Sequence, residues 1–157
     1  MKYLFIYIIV IVSYVFCAPV SQGVTQQVAE NTFVKYHESH NIDNFIVRSI
    51  DTIIDNDTPI IYIYHLEPQG FILVSAEDKA VPVLAYGFEH NFVLTNIPDN
   101  LNYLLELYKN EIADLKQSDS PRLPTIIEEW SLMLQDQDLS RESRNVSPLL
   151  DAEFDQG

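Results

Sequence analysis

Residues 60–75 read IIYIYHLEPQGFILVS, and this stretch decides the fold. Ile60 to Leu66 is a run of β-branched and aromatic side chains, and Phe71 to Ser75 begins a second run of the same character. Such runs are typical of strands, and the Pro68-Gln69-Gly70 break between them is typical of a turn. The stretch therefore predicts a β-hairpin.

Two further segments extend this hairpin into a meander. Phe45 to Ile54 alternates loosely as a strand, and the turn-forming residues Asn56 to Pro59 separate it from the hairpin. Val81 to Tyr86 follows a polar connection, Ala76 to Ala80, and predicts one more antiparallel strand.

An amphipathic helix is predicted on each side of the meander. Ser21 to His37 has apolar residues at near-helical spacing, and Ser21 or Thr25 can cap its start. The second helix begins at Pro98 and Asp99 or Asn100, and its apolar positions are Leu101, Leu104, Leu105, Tyr108, Ile112 and Leu115. Burying each of these side chains contributes about 1.5–3 kcal/mol before entropy is counted. The predicted fold is α+β, with a small antiparallel meander packed against an N-terminal and a C-terminal amphipathic helix.

The N-terminus has the layout of a signal peptide. Lys2 is followed by a mostly apolar run from Tyr3 to Cys17 without an acidic residue. This run is shorter than the ~20 residues that a membrane-spanning helix needs, so a signal over residues 1–17, cleaved after Cys17, is favoured over a permanent anchor. We expect a secreted or cell-envelope protein. A lipid on Cys17 is the alternative, although Phe16 is too large for the usual attachment signal.

Charge and cysteine content restrict the function. The formal net charge is −14, a field that repels nucleic acid and anionic membranes, so neither is expected as a partner. Solubility of an exported protein explains the charge, and attraction to a basic partner surface is the functional alternative. Cys17 is the single cysteine, so a chain cut after it has no disulfide, zinc-thiolate site or cysteine nucleophile.

No group of residues predicts catalysis, a metal or a cofactor. His37 and His40 are three residues apart, but the nearest carboxylate would point elsewhere. The acidic pairs Glu77-Asp78 and Glu128-Glu129 are adjacent, so their side chains diverge and are interpreted as solvated faces. Ser75 lacks the glycines of a nucleophile elbow.

Residues 62–112 resemble the inhibitory pro-region, a Spi-type inhibitor domain, of the streptopain family of secreted cysteine peptidases. The resemblance rests on a glycine-led strand ending in a Ser-Ala-acid turn, a strand with proline near its start, and a Pro-capped helix. The residues that carry it are Gly70, Phe71, Val74, Ser75, Pro82, Tyr86, Pro98, Leu101 and Tyr108.

A second resemblance lies near the other end of the sequence. Pro148 to Leu150 and Phe154 to Gly157 are similar to the opening of the mature peptidase, although Phe154 replaces the usual tryptophan. The resemblance implies that Gln156 is the oxyanion-site glutamine and that the catalytic cysteine and histidine come after Gly157.

The resemblance implies four segments and one task. Residues 1–17 are the signal, and residues 18–116 form an inhibitory, folding-assisting pro-domain whose partner is a cysteine peptidase domain. Residues 117–146 are a polar linker and processing region with a short helix, and residues 147–157 begin a truncated peptidase. The loops from Glu67 to Gly70 and from Gly87 to Pro98 are the candidates for entering the cleft. A separate inhibitor acting in trans, and a non-inhibitory exported binding or structural domain, remain alternatives.

Overall fold

The computed structural model describes residues 19–37 and 44–135. The elements in chain order are α1 (Gln22–Tyr36), β1 (Val47–Asp55), β2 (Thr58–Leu66), β3 (Phe71–Ser75), β4 (Val83–Gly87), α2 (Asp99–Gln117) and α3 (Pro124–Leu134). The predictions for the signal, Cys17, His40, the truncated peptidase start and Gln156 lie outside the described residues.

The four strands form one antiparallel sheet in the order β1-β2-β3-β4, which confirms the predicted meander. The β1–β2 turn has positive φ at Asn56 (46°) and Asp57 (60°), a conformation that asparagine and aspartate tolerate and that suits a two-residue hairpin. With α1 before the sheet and α2 and α3 after it, the fold is the predicted α+β arrangement.

The β2–β3 turn depends on glycine at two positions. Gly70 has φ +118°, and a Cβ placed there would lie 3.0 Å from the carbonyl oxygen of Gly87. A Cβ at Gly87 would lie 2.9 Å from the ring of Phe71, the residue paired with it on β3. The absence of a side chain at both glycines therefore lets the β2–β3 turn lie close to the end of β4.

The sheet is covered on both faces, because its central strands are apolar on both. One core cluster faces α1 and α3, and its strand members include Tyr62, Tyr64 and Val74. The other cluster includes Ile61, Ile63 and Leu73 together with Leu105 and Ile112 of α2. Successive side chains of a strand point to opposite faces, so the unbroken apolar run of β2 supplies both clusters.

Helix α1 is held to the sheet by buried polar groups as well as apolar ones. Ser21 is its N-cap, with Oγ accepting from the backbone N–H of Val24 at 3.4 Å. Thr25 and Tyr64 share a buried hydroxyl–hydroxyl hydrogen bond of 2.7 Å, and Tyr64 also donates to the carbonyl of Gln22 at 3.1 Å. Burial raises the pKa of Tyr64, while its hydrogen bond to Thr25 lowers it. A periodic apolar pattern does not reveal this polar part of the helix face.

Helix α3 lies within the segment predicted as linker, and it packs on the domain. Trp130 is 5% exposed, and its indole N–H donates to the carbonyl of Ala80 at 2.9 Å. From α1, Asn31 donates to the Met133 carbonyl at 2.7 Å, and Gln27 donates to the Leu134 carbonyl at 3.2 Å. These contacts make α3 part of the layer that covers the α1 face of the sheet.

Two details of the sequence interpretation are wrong. Glu77 does not belong to a solvated face: it is 2% exposed, and its Oε1 accepts the backbone N–H of Lys79 at 3.3 Å. Its neighbour Asp78 forms an ion pair with Arg122 at 3.2 Å. The expectation that all six apolar side chains of α2 are buried is also wrong. Only Leu105 and Ile112 are buried, and the other four are partly exposed, because a single helix face covers the sheet.

Candidate functional site

Most of the residues that carry the family resemblance are structural. Val74 and Ser75 are fully buried. The Ser75 hydroxyl donates to the Glu77 carbonyl at 3.1 Å and accepts the Glu77 backbone N–H at 3.0 Å, so it closes the turn after β3. The carbonyl of Pro82, which is also buried, accepts the Ser75 backbone N–H at 3.0 Å. These residues fix the path from β3 to β4.

Helix α2 is positioned by the same set of residues. Pro98 is its N-cap residue, and the Pro98 carbonyl accepts the backbone N–H of Leu101 at 2.9 Å. Tyr108 donates from its hydroxyl to the Leu84 carbonyl at 3.1 Å, which ties the helix to β4. Tyr86 differs from these residues because its side chain is 43% exposed.

The two loops proposed from the sequence lie together at one end of the sheet. The side-chain amide of Gln69 donates to the Phe88 carbonyl at 3.4 Å, and the Gly70 N–H donates to Oδ1 of Asn91 at 3.3 Å. Residues 67–69 and 89–91 are exposed. We call this pair of loops the loop end.

A groove of about 570 Å³ runs along β4 beside the loop end. The rings of Tyr36 and Tyr86 stack at one wall, with centroids 4.6 Å apart. Leu132 and Met133 of α3 also line the groove. The other lining residues are Lys35, Pro82, Val83, Leu84, Ala85 and Glu129. We call this feature the β4 groove.

Tyr86 joins the two features into one surface. It lines the β4 groove, and it also lines a smaller depression with Gly87, Phe88, Glu89 and His90 of the loop end. Tyr86 therefore lies where the β4 groove meets the loop end.

His37 and His65 form hydrogen bonds within the domain. His37 bonds through Nδ1 to the Phe33 carbonyl at 2.8 Å and stacks on the Phe33 ring. His65 bonds through Nε2 to Asp51 at 2.9 Å on another part of the sheet. Among the residues that the structure describes, no three histidine, cysteine or acidic side chains form a metal-binding group. Within the same residues, no helix has the length and apolar character to cross a bilayer.

The sequence did not predict the β4 groove. Tyr86 was identified only as part of the resemblance, and Trp130 lies in the segment that was interpreted as a linker with a short helix. The available signal was the single tryptophan of the chain in a segment otherwise interpreted as linker, since a large aromatic side chain gains stability by burial.

The part of the chain that forms the sheet matches a known protein family. A family model described as Spi protease inhibitor matches residues 17–112, which include α1, the whole sheet and most of α2. Among curated proteins, the Thiol protease/hemagglutinin PrtT of Porphyromonas gingivalis is 27% identical over 97 residues. That match covers 60% of this chain and only 11% of PrtT. No solved structure matches the chain significantly. Because the family model spans more than half of the sequence, the chain belongs to the Spi protease inhibitor family.

Proposed function

We propose that this chain is the inhibitory pro-domain of an exported cysteine peptidase of the streptopain class, and that it blocks the catalytic cleft until it is cut away. The observation that carries the proposal is the family match over residues 17–112, the part of the chain that forms α1, the sheet and most of α2. The family is one of inhibitors and not of enzymes. The similarity to a thiol protease favours a cysteine peptidase as the partner.

The loop end is suited to occupy a cleft because it is exposed and also held in place. Gln69 and Gly70 bond to the chain beyond β4, and Gly70 has a backbone conformation that most residues avoid. A loop that is already ordered loses little conformational entropy on binding, which favours affinity. In this proposal the loop end enters the cleft, and neighbouring surfaces hold the domain on the enzyme.

A pro-domain must also be released, and exposed chain is the part that a protease cuts most readily. In the proposal the signal over residues 1–17 is removed on export, and the processing site lies in residues 117–146. Helix α3 is within that segment and is fixed by Trp130 and Asn31. Residues 119–123 are exposed, so this linker between α2 and α3, or the chain after Gln135, is where we place the cut.

The test is an inhibition assay with the purified chain. Residues 18–157 are mixed with streptopain, and separately with the protease domain of PrtT, and hydrolysis of a peptide substrate is followed. We expect loss of hydrolysis at about micromolar chain, an affinity typical of a specific protein complex. Tyr86→Ala at the junction of the two surfaces should weaken inhibition. Tyr103→Ala, an exposed tyrosine on α2, is the matched control.

Two alternatives predict other results. If both enzymes stay fully active at micromolar chain, the proposal is wrong and a non-inhibitory exported binding or structural domain is favoured. If inhibition is found, the DNA that follows codon 157 distinguishes the modes: an in-frame cysteine and histidine support action in cis, and an immediate stop codon supports a separate inhibitor acting in trans.

A further inference from the structure

The two edges of the sheet differ in how well they are protected against pairing with another strand. The β1 edge carries Arg48, Asp51 and Asp55 and has two register shifts. Charged side chains and bulges are the usual protection of an exposed edge. The β4 edge reads VLAYG, has no charged residue and has one register shift against β3, where β1 has two against β2. Within the described residues, no strand pairs with the outer edge of β4.

The β4 groove adds apolar walls to this unprotected edge. Leu132 is 50% exposed and Tyr86 is 43% exposed, although both are large and face the same groove. An extended peptide added to an open edge gains main-chain hydrogen bonds, and its alternate side chains fill pockets beside the strand. The groove can receive such side chains, because apolar residues of both β4 and α3 line it.

Charge indicates the chemistry of the segment that binds. The chain carries a formal net charge of −14, and the exposed Glu129 lines the groove on α3 with the exposed Glu128 beside it. A carboxylate at the rim favours a basic side chain on the partner and disfavours an acidic one. Lys35 lies at the α1 side of the groove, above the ring of Tyr36. The acidic side of the rim is therefore on α3.

We propose that β4 and its groove bind an extended, mostly apolar segment of the peptidase as a fifth strand of the sheet, with a basic side chain of that segment beside Glu129. This inference rests on the proposed function, because it takes the peptidase as the partner. It adds a second contact to the loop end, and Tyr86 links the two.

The first test is backbone hydrogen exchange of the chain over residues 18–157, alone and with streptopain. We expect slower exchange at amides of residues 83–87 that β3 does not bond, because a new strand would bond them. The second test compares the inhibition constants of two matched variants, each with a leucine replaced by the similarly sized glutamine. Leu132→Gln should weaken inhibition by about tenfold or more, as expected for an apolar side chain in a buried interface. Leu107→Gln on α2, where Leu107 is 48% exposed, should leave it within about twofold.

Charge reversal separates a local contact from the overall field. Glu129→Lys and Glu111→Lys change the net charge equally, and both glutamates are exposed. A basic side chain beside Glu129 predicts that only the first variant loses about tenfold in affinity, whereas long-range attraction alone predicts equal losses.

Each outcome decides the proposal. Inhibition with unchanged exchange at residues 83–87, or equal effects of Leu132→Gln and Leu107→Gln, overturns the added strand and leaves the inhibitor function standing. No binding by the wild-type chain overturns both. If the chain alone forms a concentration-dependent dimer in sedimentation, and Leu132→Gln prevents it, a second copy occupies β4 and the peptidase does not.

Discussion

Replacing Trp130 with alanine measures how much stability the contact of α3 contributes. The indole ring is 5% exposed, and its N–H donates to the Ala80 carbonyl at 2.9 Å. Removing a buried tryptophan side chain costs about 3–5 kcal/mol, which includes the cavity that remains. Domains of this size are stable by only about 5–15 kcal/mol, so Trp130→Ala should remove about a fifth or more of the free energy of unfolding.

A second variant removes the hydrogen bond but keeps most of the aromatic packing. Trp130→Phe keeps an aromatic ring but leaves the Ala80 carbonyl without this donor, which costs about 1–3 kcal/mol when the carbonyl is buried. Ile127→Ala is the control on the same helix, because Ile127 is 48% exposed and should change stability by less than about 1 kcal/mol.

The measurement is urea unfolding followed by far-ultraviolet circular dichroism, which does not depend on the tryptophan. In the wild-type chain the fluorescence of Trp130, the single tryptophan, gives an independent signal for the undocking of α3. A wild-type fluorescence transition that precedes the dichroism transition would show that α3 unfolds separately. A loss of stability below about 1 kcal/mol in Trp130→Ala would refute the reasoning, because it would mean that the Trp130 side chain is not packed against the domain.

Three other predictions test single features. Gly70→Ala should lower stability by about 1–3 kcal/mol in the same assay, because φ is +118° there and the new Cβ would meet the Gly87 carbonyl; an unchanged urea midpoint would contradict this. Burial raises the pKa of Tyr64 above its ordinary value. The stabilising contribution of the neutral Tyr64 hydroxyl is therefore complete at lower pH and is lost as pH rises through the folded-state pKa. Tyr64→Phe should therefore flatten the alkaline loss of stability, whereas Tyr103→Phe, 71% exposed, should not. Tyr86→Ala should weaken inhibition but change stability by no more than about 1–2 kcal/mol, since the side chain is partly exposed; a loss of folding would assign Tyr86 to the core instead.

The local pattern of the chain was enough to predict the elements. The run from Ile60 to Leu66 has β-branched and aromatic residues without a break, and it became a strand that is buried on both faces. Gly70 follows a proline and a glutamine, and it adopted the positive φ that ends the turn. These features depend on backbone propensity and on apolar periodicity, which act over a few neighbouring residues.

Helix boundaries were predicted for the same reason, within one or two residues. Ser21 caps α1, and Pro98 precedes α2, because the first turn of a helix has free N–H groups and a fixed entry geometry that few residues satisfy. The family resemblance was likewise visible in the sequence, because the residues that carry it lie at turns and at element ends with definite spacings along the chain.

The surface that we propose for binding was decided by tertiary structure. The sequence shows that β4 is a strand, but only the strand order shows that β4 is an edge. Trp130 lies 50 residues from its partner Ala80, and it brings Leu132 and Met133 beside Tyr86. The burial of Glu77 was also decided by tertiary structure, because the sequence around a residue does not show which distant segments pack against it. Short-range propensity determines each element separately, whereas edges, grooves and buried charges arise only when distant elements pack together.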